Sequence, residues 1–98
     1  MLESEKLLER KLNLGVKKLG GWSIKLLTTH VIGLPDRMIL LPGGRIFFAE
    51  IKTTHKKPAY IQHVVHNKFR ALGFKVYVLD STEDITQLLD DYGPGEPS

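Results

Sequence analysis

Two apolar runs, "DRMILL" and "RIFFAEIK", flank Pro42-Gly43-Gly44, and strand, tight turn, strand in that order predicts an antiparallel hairpin. Their near-continuous hydrophobicity predicts strands covered on both faces, so packing layers must lie above and below them. Successive strand side chains point to opposite faces, which sets Glu50 and Lys52 on one face and Ala49 and Ile51 on the other. With the turn centred on Gly43, residues whose numbers sum to about 86 lie opposite one another, and Asp36 then faces Glu50. Two acids and a lysine, Asp36, Glu50 and Lys52, therefore lie among the apolar residues of the hairpin, where a charge is costly unless something pairs with it.

The rest of the chain supplies the layers. Leu7, Leu8, Leu12, Val16 and Leu19 recur at helical spacing behind Ser4, a candidate N-cap, and predict a helix over about 4–19 that ends at Gly20-Gly21. Gly15 weakens that helix by about 1 kcal/mol relative to Ala, so the helix is either tightly packed there or bent. "WSIKLLTT" from Trp22 alternates as a strand, with Trp22, Ile24 and Leu26 on one face. Pro58 is placed to open a second helix from its first turn, closed near Leu72 by Gly73. "FKVYVLD" is a further strand, and Ser81 caps a last helix. The order helix, three strands, helix, strand, helix predicts one mixed sheet with helices packed on it, of α/β or α+β class. Residues 1–92 form a single domain in this reading and 93–98 a flexible tail.

Composition narrows the function. The chain has 98 residues, enough for one domain, with 42% apolar and 26% charged residues as in a globular protein. The net charge of +3 suits a polyanionic partner as well as a plain soluble surface. Without cysteine there is neither a disulfide framework nor a thiolate metal site. No stretch approaches the roughly 20 apolar residues of a membrane span, and the charged N-terminus is unlike a signal peptide, so a cytoplasmic protein without a membrane partner is expected.

Two opposed carboxylates repel unless a cation lies between them. Hard oxygen ligands without sulfur suit Mg²⁺ or Mn²⁺, and the backbone carbonyl of Ile51 is placed to add a further ligand. Lys52, beside a metal-bound water, can orient the nucleophile or neutralise charge developing on a phosphoryl oxygen. Metal, water and lysine together describe phosphodiester hydrolysis.

These residues resemble a known family. "GLPDRMILLPGGRIFFAEIKT" matches the PD-(D/E)xK signature of the restriction-endonuclease-like superfamily, with Pro35-Asp36 as PD and Glu50-Ile51-Lys52 as ExK. The chain is similar, more specifically, to the virus-type replication-repair nucleases, the VRR-NUC family, through a glutamate-bearing first helix, "GLPD", "FFAEIKT", a helix with Gln62 and "HNKFRALGFKVYVLD". The resemblance implies an α/β, restriction-endonuclease-like fold and an Mg²⁺-dependent DNA endonuclease. Asp36, Glu50 and the Ile51 carbonyl would bind the metal, Lys52 would be the catalytic lysine, Gln62 a supporting or substrate-facing residue, and a first-helix glutamate a further acid. Glu9 in "LLERKL" is the best match for that acid, with Glu5 one turn earlier as the alternative. The resemblance also implies action on branched DNA, in the manner of a Holliday junction resolvase, by a homodimer. The competing readings are a DNA-binding scaffold of the same fold and an exonuclease or flap nuclease.

Outside this constellation, Thr53, Lys56 and Lys57 belong to a polar loop after the catalytic strand, placed to meet a phosphate backbone or simply solvated. His30, His55, His63 and His66 lack the spacing of a zinc-protease helix and read as surface residues. Phe47, Phe48 and Tyr77 read as core or dimer interface because they lie in apolar strands, away from any basic groove.

Overall fold

The computed structural model describes residues 4–53 and 57–93. Its elements are α1 (Glu5–Lys18), β1 (Trp22–Lys25), β2 (Arg37–Leu41), β3 (Arg45–Ile51), α2 (Tyr60–Ala71), β4 (Lys75–Leu79) and α3 (Thr82–Tyr92), in the order expected from the sequence. The four strands form one sheet in the order β1-β2-β3-β4. The first two pairings are antiparallel and β3 with β4 is parallel, which requires the crossover that α2 provides. The expected hairpin register holds: Arg37 faces Ala49, Met38 faces Phe48 and Ile39 faces Phe47.

The alternation within β3 assigns the layers. Phe47, Ala49 and Ile51 join Leu8, Leu12 and Val16 of α1 and Ile85 and Leu88 of α3 in the main core. Phe48 and Glu50 point to the other face, where α2 lies: the Phe48 ring meets Phe69 edge-on at 4.7 Å, and Glu50 meets Gln62. All five residues of β3 from Phe47 to Ile51 are buried, as two covered faces require. The C-terminal helix is fastened at its end, where Tyr92 stacks on Phe47 and its carbonyl accepts from Arg45 Nη1 at 2.6 Å.

Local chemistry fixes the helix ends. Ser4 Oγ accepts from Leu7 N and Ser81 Oγ from Asp84 N, both at 3.1 Å, so both expected serine caps form. After α1, Gly20 N donates to the Lys17 carbonyl and Gly21 N to the Val16 carbonyl, the paired closure that a left-handed residue permits, and Gly20 has φ of 83°. Gly15 marks tight packing: a Cβ there would fall on Leu89 Cδ1 of α3.

Two expectations change. Pro58 precedes α2 by two residues and does not occupy its first turn; Ala59 is the N-cap, and Gln62 Oε1 accepts from Ala59 N at 3.0 Å. The first strand ends at Lys25, paired with Arg37, and Trp22 is 67% exposed because α2 does not extend over this edge of the sheet. The expected tail falls outside the described residues from position 94 onward. Among the described residues no helix is long and apolar enough to cross a membrane.

Candidate active site

The site lies where β2 begins and β3 ends. Asp36 directly precedes β2, and its carbonyl accepts from Leu26 N at 2.8 Å, tying it to the end of β1. Its side-chain Oδ2 accepts from Ile51 N at 3.0 Å, so the carboxylate is turned onto the end of β3. Lys52 N donates to the Leu79 carbonyl at 3.0 Å. In a trans peptide the carbonyl points opposite to the N–H, so the Ile51 carbonyl is directed away from β4, toward the edge that Asp36 occupies.

Glu50 is 1% exposed and faces α2. Its Oε2 accepts from Gln62 Nε2 at 2.8 Å and lies 3.4 Å from Lys52 Nζ. Lys52 keeps a quarter of its side chain open to solvent, so it connects the buried acid to the surface. Burial raises the Glu50 carboxyl above the usual carboxylate range, and the nearby Asp36 charge raises it further; Gln62 and Lys52 oppose the shift. Glu50 Oε1 is buried without a hydrogen-bond partner among the described residues.

Gln62 occupies its place because its amide is oriented from both ends. Its oxygen takes the Ala59 N–H at the helix start, which turns its NH₂ toward Glu50. One helical turn on, His66 is also buried, with Nε2 3.8 Å from Glu50 Oε1. Burial, then the Arg70 and His63 charges, lower its pKa. The sequence reading placed His66 on the surface; the available signal was its i,i+4 spacing from Gln62, which puts both on one face of α2.

Glu9 is brought to Arg37, the residue after Asp36: Arg37 Nη2 and Nε lie 3.1 and 3.3 Å from Glu9 Oε2. Among the described residues no group of three or more His, Asp or Glu side chains is gathered as a ready cage, so Glu9 does not join Asp36 and Glu50 in one cluster. Glu5 is exposed. Of the expected phosphate-contacting residues, Lys57 is exposed and Thr53 is buried, while Lys56 lies outside the described residues.

The donor set fits a hard divalent cation. Asp36 is close enough for its charge to raise the Glu50 carboxyl, and the unpartnered Glu50 oxygen is an available hard ligand.

No protein-family model matches the chain. It is 39% identical over 82 residues to "Putative nuclease p44" of Acyrthosiphon pisum secondary endosymbiont phage 1, covering 84% of this chain and 87% of that protein. A solved structure described as a VRR-NUC domain superposes with a TM-score of 0.84 at 31% identity, covering 90% of this chain and 96% of the other.

Proposed function

Because the chain belongs to the VRR-NUC family of nucleases, we propose that it is an Mg²⁺- or Mn²⁺-dependent endonuclease that hydrolyses phosphodiester bonds in branched DNA. The observation that carries this reading is the convergence of Asp36, Glu50 and Lys52 at one end of the β2–β3 hairpin, with Gln62 behind them.

Asp36, Glu50 and the Ile51 carbonyl would hold the cation. Once bound, it would polarise the scissile phosphate and lower the pKa of a coordinated water. Lys52, a quarter of its side chain in solvent, neutralises charge developing on the phosphoryl oxygen or orients the attacking water. Gln62 keeps the Glu50 carboxylate in place. Glu9 acts from the other side of the sheet, anchoring Arg37 and with it the start of β2 beside Asp36. Lys57 and Lys56 meet the phosphate backbone, where contacts of this kind position DNA without reading its sequence.

A homodimer is part of the proposal. A single small domain has little surface beyond its own site, and two sites related by a twofold axis suit a branched substrate. Support for such an interface comes from the sheet face beyond α2, where Trp22 pairs with Leu40 and Leu40 with Ile46, leaving Trp22 and Ile46 exposed.

The test is cleavage of labelled four-way junction, flap and linear duplex DNA by wild type and Lys52→Ala, with Mg²⁺, Mn²⁺ or EDTA. Metal-dependent cutting of the junction by wild type alone is the expected result. Binding without cutting by both proteins would assign the chain to a scaffold role, and cutting confined to ends or flaps would reassign the substrate.

A further inference from the structure

Glu50 is gripped by one face of α2. Gln62 and His66 lie one turn apart on that face, and each addresses a different oxygen of the same carboxylate. Gln62 Nε2 donates to Oε2 at 2.8 Å, whereas His66 Nε2 stands 3.8 Å from Oε1. Both His66 and Glu50 are 1% exposed, and among the described residues neither His66 Nε2 nor Glu50 Oε1 has a hydrogen-bond partner. Leaving a buried polar atom unpaired is costly, and a ring of similar size without nitrogen would fill the same space at position 66. A buried histidine aimed at the free oxygen of a buried acid therefore calls for a reason beyond packing.

We propose that His66 is a positioning residue for Glu50, completing with Gln62 a clamp from α2 that holds the carboxylate toward Asp36. The gap is roughly 1 Å longer than a direct N–H···O bond, which a small side-chain shift closes. Support of this kind behind a metal ligand typically contributes 10- to 100-fold to metal affinity. The inference rests on Glu50 being a cation ligand, as proposed above.

Calorimetric titration of the DNA-free protein with MgCl₂ and NiCl₂ tests it, using wild type, Glu50→Gln, His66→Phe and His66→Gln. The Glu50→Gln titration gives the binding that belongs to surface histidines and is subtracted. His66→Phe should weaken the Glu50-dependent binding of both cations by a similar factor, about tenfold. His66→Gln, which retains an N–H donor, should recover most of it. If His66→Phe does not fold, His66→Asn, whose amide is too short to reach Oε1, is expected to show the same loss. Unchanged cation affinity in His66→Phe or His66→Asn would overturn the inference, as would a Ni²⁺ loss far exceeding the Mg²⁺ loss, which would make His66 a ligand. Equal binding by wild type and Glu50→Gln would overturn the reading of Glu50 itself, and the inference with it.

Discussion

Glu50 carries the tension of the site in a single residue. Its carboxyl is raised by burial and by Asp36, so folding favours its protonated form, and the stability linked to this group is present in full at low pH and lost as pH rises through the raised value. In EDTA at pH 7.5, Glu50→Gln should therefore melt higher than wild type, by about 4–8 °C for each kcal/mol relieved, with the difference vanishing below the ordinary carboxylate range. Thermal melts across pH check this; a lower melting temperature for the variant at pH 7.5 would show that Lys52 and Gln62 overcompensate the burial. Saturating Mg²⁺ should reverse the order, because only the wild type gains from the cation. Lys52→Ala should abolish cleavage and, in EDTA at pH 7.5, melt lower than wild type, since it leaves the buried Glu50 carboxylate without its cation. Much of this constellation was legible in the sequence, because strand alternation and the turn position fix which residues meet. His66 was not legible. Helical periodicity puts it beside Gln62 but does not say which face of α2 docks on the sheet, and histidine is equally at home on either.

At the scale of elements, the Gly20-Gly21 pair shows why a sequence signal and its cause differ. The pair reads only as a helix stop, yet the two glycines answer different demands. Gly20 supplies the left-handed residue, whereas at Gly21 a Cβ would stand 2.5 Å from the Leu40 carbonyl oxygen and 2.6 Å from Leu41 Cδ2. Backbone cannot yield as a flexible side chain does, so Gly21→Ala should destabilise by about 1–3 kcal/mol, read in urea unfolding. Gly43→Asn, at a hairpin tip with nothing within 4 Å and a φ that Asn tolerates, should stay within about 0.5 kcal/mol. Equal losses at the two positions would mean that the close approach at Gly21 relaxes without cost. The same distinction explains the two element boundaries that moved. The start of α2 is set by Gln62 reaching back to Ala59, a contact that a proline signal does not encode, and β1 stops where its partner strand begins at Arg37.

Across the whole molecule, the two faces of the sheet are covered unequally. One is closed by α1 and α3, while α2 closes the other only over β3 and β4, where Phe48 packs on Phe69 and Phe74. The strip from Trp22 through Leu40 to Ile46 is left facing solvent, and it was invisible to the alternation of "WSIKLLTT", which reports that a face is apolar but not whether anything lies on it. If the homodimer forms through this strip, Trp22 is its natural anchor, since a central tryptophan typically contributes 2 kcal/mol or more to an interface. Trp22→Lys should then raise the dimer dissociation constant by at least about thirtyfold. Light scattering at micromolar concentration would follow the mass from two chains to one. Because Trp22 contributes little to the fold of its own subunit, the melting temperature of the separated chain should hold. Each monomer would retain Asp36, Glu50, Lys52 and Gln62, so nicking of simple duplex should persist while paired cuts across a junction are lost. A Trp22→Lys protein that remains dimeric would move the interface elsewhere; one that is monomeric yet still makes paired junction cuts would detach branched-substrate cleavage from dimerisation.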